Sequence, residues 1–186
     1  LGIQDTDGRS CDLINIDMRT TILNDIYERA QTLDRNLPRQ WFIEQASNLT
    51  KDPKQLIQEN TQNLQSSVDI GRLYLFLYDP KTKKKLPYYD MAPLSMILEK
   101  GTEGFVGVNF HYLPPQLRLG LLGSEPRTIL RAKEVKPLMR NYLYSNVKSR
   151  FLNILQEEWD MVSALPVERF RKQNKSTVWN ETLGEI

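Results

Sequence analysis

His111 is the one histidine of this chain, so any imidazole general base or imidazole metal ligand has to be built around it. A catalytic imidazole needs a group to orient it and a nucleophile within reach. Asp90, Ser95 and Cys11 offer those chemistries, but none stands in a motif that brings them together. There is no Gly-x-Ser-x-Gly elbow, no His-Glu-x-x-His, and no His-x-Glu followed by paired cysteines. Asp79, Asp90, Glu99 and Glu103 are the carboxylates a metal-dependent nuclease would cluster. Each stands beside a turn or a proline, where acidic side chains serve local hydrogen bonds. Gly101, Gly104 and Gly107 lack the spacing of a phosphate loop and its following Lys-Ser/Thr. One cysteine and one histidine do not make a structural zinc site, so no metal, no cofactor and no catalytic centre is expected. The expected place of His111 is a strand end, with Asp90, Asn109 and His111 in buried hydrogen bonds that fix a strand crossing.

Cations form the second set of candidates. Lys81, Lys83, Lys84 and Lys85 crowd one turn, where they can contact phosphates or keep a sheet edge from pairing with other chains. Arg127, Arg131, Lys133, Lys136, Arg140, Lys148 and Arg150 form a second basic group. Net charge is only +2, yet it is unevenly placed. Residues 1–69 hold 7 Lys/Arg against 11 Asp/Glu, whereas residues 127–175 hold 11 against 5. That polarity points to an anionic partner for the later part of the chain, double-stranded DNA being the one considered. Tyr74, Phe76, Tyr78, Tyr88, Tyr89, Phe105, Phe110 and Tyr112 can stack on bases or pack a small core. Tyr88 and Tyr89 are adjacent, so in an extended segment one of them points toward the surface.

These residues depend on elements that the sequence also outlines. The chain has 186 residues, 40% hydrophobic and 26% charged, the composition of a folded globular protein. No apolar run reaches the roughly 20 residues of a membrane span, and no signal peptide is visible. The cysteine usage suggests an intracellular or virion-internal setting.

Residues 1–20 read as an arm with a turn at Asp7-Gly8 and a short strand across Leu13 to Met18. A helix is expected from Thr21 through Leu33, a second beginning at Pro38, and a third capped by Asp52 with Pro53 at its first position. At residue 72 the period changes. "RLYLFLYD", the segment from Leu86 and "FVGVNFHYL" read as three strands, the second bent or at an edge because of Pro87 and Pro93. In the third, Val106, Val108, Phe110 and Tyr112 form the expected core face, opposite Phe105, Gly107, Asn109 and His111. A helix then starts at Pro114 and ends near Gly123. The segment 137–155 reads as a helix passing into a strand near Phe151, "EEWDMVSALP" as a strand, and both "VERFRKQN" and "STVWNETLGEI" as helices, the last capped by Ser176. The expectation is an α+β protein: residues 1–70 an arm and helical segment, residues 71–186 a small SH3-like β-barrel or bent antiparallel sheet with terminal helices.

Three stretches, "LYLFLYDPKTKKKLPYYDMAPL", "GFVGVNFHYLPPQLR" and "LPVERFRK…STVW", resemble a virion-protein family of T-even-type tailed phages, the DNA end protector family. The resemblance spans residues 72–180 and leaves the first 70 residues outside it. It singles out Tyr88, Tyr89, Asp90, Asn109, His111, Tyr112, Leu113 and Pro114 as motif positions, structural or interacting, and supplies no catalytic residue. It implies a noncatalytic virion protein that shields the ends of packaged DNA. The alternative is a baseplate or neck subunit working through protein contacts. In either case the partners are other virion proteins in a larger assembly, with no membrane. The location is the virion, and the host cytoplasm during assembly.

Overall fold

The computed structural model describes residues 23–33, 36–122, 126–129 and 131–186. Cys11, the Asp7-Gly8 turn, the strand expected across Leu13 to Met18, Thr21, Ile22 and Gly123 lie outside the described residues.

Three short helices come first: α1 (Asn24–Thr32), α2 (Arg39–Ser47) and α3 (Pro53–Glu59). Asp52 caps α3 by accepting from the Lys54 amide, and Pro53 sits where no intrahelical donor is needed. Pro38 is the residue just before α2, one position earlier than expected, in extended conformation. Then follow β1 (Leu64–Gln65), β2 (Leu73–Leu75), β3 (Tyr89–Asp90), β4 (Leu94–Lys100) and β5 (Gly104–Asn109). The chain continues with α4 (Pro115–Leu122), α5 (Pro126–Ile129), β6 (Met139–Leu143), β7 (Phe151–Ile154), α6 (Trp159–Ala164), β8 (Phe170–Arg171) and α7 (Lys175–Glu185).

The fold is α+β, with an antiparallel sheet in the order β1-β7-β2-β4-β5-β6 and a separate β3-β8 pair. The sheet bends sharply but does not close into a barrel: among the described residues β1 and β6 are its two edges. The bend is visible in side chains. Phe105 on β5 and Phe151 on β7 have ring centroids 5.6 Å apart although two strands lie between them. A register shift between Ile97 and Glu99 in β4 supplies local curvature.

Both faces of the sheet are therefore buried. One carries Leu73, Leu75, Leu94, Met96, Val108 and Leu152 against the helices. The concave face closes on its own aromatic cluster of Tyr74, Phe76, Tyr78, Phe105, Tyr142 and Phe151. Val108, Phe110 and Tyr112 do belong to the main core, but the opposite face, expected to be the outer one, is filled too.

Three expected elements took another form, and two more differ in position or cap. Residues 139–143 pair with β5 as an edge strand, not a helix; Arg140 and Tyr142 share one face of it while Met139 and Asn141 point outward. Residues 159–164 are a helix whose residues are nearly all buried, which hides a helical period from sequence. Phe170–Arg171 is a strand because Arg171 and Phe170 pair with Tyr89 and Asp90. The strand after Pro93, expected to be bent or at an edge, is central and carries the register shift between Ile97 and Glu99; Pro93 precedes its first residue, so no ladder donor is lost. The last helix is capped by Asn174, which accepts from the Thr177 amide, rather than by Ser176.

Candidate functional site

The motif residues converge on one buried carboxylate. Asp90 Oδ2 accepts from His111 Nδ1 at 2.8 Å and from Asn109 Nδ2 at 3.1 Å. Oδ1 accepts from the Ala92 amide at 3.0 Å and the Arg169 amide at 3.1 Å. Four donors occupy the four lone-pair sites of an ionised carboxylate, so the acceptor role of Asp90 places the His111 proton on Nδ1. Burial pushes the Asp90 carboxyl up, but the His111 imidazole and these hydrogen bonds outweigh it and hold the group below its ordinary range. The partner of the His111 ring is thus the Asp90 carboxylate. His111 lies in a short 3₁₀ turn after β5, which the Asn109 side chain starts by accepting from the His111 amide. His111, Ser95 and Asp90 are all buried, so among the described residues neither the imidazole nor its candidate nucleophile Ser95 is exposed. No group of three or more His, Cys, Asp or Glu among the described residues is arranged to hold a metal ion.

Beneath this hub lies Arg118, a buried cation in α4 that sequence reasoning missed, since an arginine in a helix ordinarily faces water. Its guanidinium donates to the carbonyls of Leu113 at 2.6 Å, His111 at 3.3 Å and Ser163 at 3.3 Å, and pairs with Glu168 at 3.5 Å. Trp179 on α7 donates to the same His111 carbonyl at 2.9 Å. The carboxyl of Glu168 is pushed up by burial and pulled further down by His111, Arg118 and Lys175.

Above the hub is a cleft of about 490 Å³ lined by Pro80, Thr82, Tyr88, Tyr89, Tyr112 and Arg140, among others. The Arg140 guanidinium stands 4.0 Å from the centroid of the Tyr112 ring and donates to the carbonyls of Pro137 and Met139. Tyr88 and Tyr112 have centroids 6.0 Å apart. Burial, with the Glu181 carboxylate on α7 that accepts its hydrogen bond, pushes the Tyr88 hydroxyl up to about 12. Tyr88 and Tyr89 are both half-buried, so each keeps part of its surface toward solvent. A cation over an aromatic ring, beside further tyrosines, is an arrangement suited to a planar, anionic ligand.

The lysine turn forms one rim of this cleft through Pro80 and Thr82. Lys83 pairs with Asp79 at 2.8 Å, while Lys81, Lys84 and Lys85 are exposed, with no ion pair to them among the described residues. Lys172 also missed attention. Its ammonium donates to the carbonyls of Lys84 and Leu86 at 3.2 and 2.6 Å, which ties the turn to the end of β8. Lys172 takes a positive φ of 71°, a conformation that lets the chain turn from β8 into the cap of α7.

The second basic group is not one patch. Lys148 is exposed beside the strand leading into the lysine turn, its amide donating to the Leu77 carbonyl while Asn146 bonds Asp79. Arg140 is in the cleft. Arg131, Lys133 and Lys136 are exposed on the approach to β6. Lys136 lines a separate shallow pocket with Leu98 and Glu99. Arg150 reaches the other edge, where it donates to the Leu64 carbonyl of β1. Arg127 falls in α5, and its side chain lies outside the described residues.

The described residues thus form an open, bent sheet with an aromatic cleft and a lysine turn at its rim. Residues 4–127 match the family described as Phage T4 terminal DNA protecting protein, about two thirds of the chain, and the protein belongs to that family. The match takes in most of the first 70 residues, which the motif resemblance left out, together with the lysine turn and the motif residues through Pro114. No curated protein and no solved structure gives a significant match. No helix among the described residues is long and apolar enough to cross a membrane.

Proposed function

We propose that the protein binds and shields the ends of phage DNA, holding phosphates with the lysine turn and the lysine beside it. Membership of the terminal DNA protecting family carries this reading and favours it over a baseplate or neck role. The geometry supports it: Lys81, Lys84 and Lys85 are exposed on the turn that forms one rim of the cleft, and Lys148, also exposed, bonds through its amide to the segment leading into that turn. Arg131, Lys133 and Lys136 are exposed before β6, apart from the lysine turn, and Arg150 lies at the β1 edge. Phosphates are held by charge and reach, so the function calls for no cofactor and no catalytic step. The protein then resides with the DNA in the virion, among other virion proteins.

Duplex DNA affinity measured against salt tests this directly. Each phosphate contact adds about 0.9 to the slope of log affinity on log salt. Replacing Lys81, Lys84 and Lys85 together by Gln is expected to reduce that slope by about 2 to 3 and to weaken protection of linear DNA from an exonuclease. Absence of binding at low salt would remove the reading.

A further inference from the structure

We infer that the cleft between Tyr88, Tyr89, Tyr112 and Arg140 takes the terminal nucleotide of a DNA strand, splayed away from its base pair. The inference rests on the DNA-end reading and assigns to it a site that distinguishes an end from the body of a duplex. The lysine turn cannot do so by itself, because charge contacts to phosphates carry no information about where a strand stops.

The cleft has the volume of a site for a single small ligand, about 490 Å³, rather than a channel for a duplex. Its lining offers both surfaces a nucleotide needs. Tyr88 and Tyr89, both half-buried, supply the aromatic surface, while Tyr112 is buried beneath Arg140 and backs the cleft; base–aromatic stacking tolerates any sequence because every base has a π-face. The Arg140 guanidinium, held at 4.0 Å from the Tyr112 ring centroid and by two backbone carbonyls, is a planar cation ready for a phosphate. The nearby carboxylates are accounted for: Asp90 by its four donors, Asp79 by Lys83, and Glu181 by the Tyr88 hydroxyl. The lysine turn at the rim meets the phosphates that follow the terminal one.

End preference then follows from the duplex itself. Extruding an internal base breaks stacking on both sides and distorts backbone in two directions. A terminal base is stacked on one side and tethered on one side, so splaying it costs less. A site that accepts only an extruded nucleotide therefore selects ends without reading sequence.

The test compares one duplex sequence in two forms: linear with open ends, and closed at both ends by hairpin loops. The full-length protein is expected to bind the open form about tenfold more tightly, the worth of one stacked base. Tyr89→Leu and Arg140→Gln are expected to lower open-end affinity about tenfold while shifting closed-duplex affinity far less; thermal unfolding checks that each variant is folded. Should Arg140→Gln fail to fold, Arg140→Lys, which keeps the charge and loses the planar contact, replaces it with the same expectation. Equal affinity of the unaltered protein for both forms, or preference retained in Tyr89→Leu, overturns the inference and leaves the DNA-binding reading standing. No binding to either form overturns that reading as well. Displacement of the DNA by an equal concentration of deoxynucleoside monophosphate would mark a free-nucleotide site and overturn the inference.

Discussion

Asp90 illustrates how a single buried charge is made tolerable. An isolated carboxylate in a protein interior is strongly disfavoured, and this one is kept ionised by four donors from three parts of the chain. Its hydrogen bonds join the end of β3, the end of β5 and the approach to β8, and so build the floor of the cleft. His111→Gln is expected to cost about 3 kcal/mol, because it removes the shortest of these contacts from a charge that stays buried; denaturant unfolding would measure it, and an unchanged midpoint would contradict the account. The pH dependence has a definite sign. The carboxyl of Asp90 lies below its ordinary value in the folded protein, so its contribution is complete above about pH 4 and lost as pH falls through the lower folded value. Asp90→Asn should therefore flatten the acid limb of a stability-versus-pH curve. At this scale the sequence was informative where polar residues sit inside an apolar run, as Asn109 and His111 do. It was silent on Arg118 and Lys172, whose partners are carbonyls distant in sequence.

Among the elements, β4, β5 and β6 carry the bend and position Arg140 beside Tyr112. Two glycines of β5 make their close approach possible. A Cβ on Gly104 would stand 2.1 Å from the Tyr142 carbonyl oxygen, and one on Gly107 would stand 2.3 Å from Ser95 Oγ. These clashes differ in kind. The first is against backbone of the paired strand, whereas the second is chiefly against a side chain that can be removed. Gly104→Ala and Gly107→Ala are each expected to destabilise by about 2 to 3 kcal/mol. Adding Ser95→Ala should recover part of the loss at Gly107 and none of it at Gly104, as a double-mutant cycle in chemical denaturation would show. Elements announced by local chemistry were legible: Asp52-Pro53 opens α3, and the turn between β4 and β5 closes through Gly101 and Gly104. Those decided by distant partners were not. β6 is a strand because β5 offers it an edge, and β8 because β3 does, while α6 is so enclosed that apolar residues occur on all its sides.

At the scale of the whole molecule, composition shifts near residue 70, from an acidic helical segment to a basic β-rich one, yet the core runs across that point. Leu23, Ile26, Ala46, Leu56 and Ile57 from the first helices share one apolar cluster with Leu73, Leu94 and Leu152 of the sheet and Trp159 of α6. β1 pairs with β7, and Arg39 of α2 forms an ion pair with Asp160 of α6. Apolar burial is the main favourable term in folding, and here it is shared, so neither part can open without exposing the other's buried face. Arg118 reinforces this from within by tying α4 to α6 and to the turn that holds His111. Native-state hydrogen exchange should find the most protected amides of α3, near Leu56 and Ile57, opening with the same free energy as those of β4 and β5. Arg118→Met should lower all of them together by about 3 kcal/mol, since it leaves the buried Glu168 without its internal partner. If α3 instead exchanged through a separate, less costly opening that Arg118→Met did not move, the helices would be an independent unit. The cleft and its lysine rim would then rest on the sheet alone.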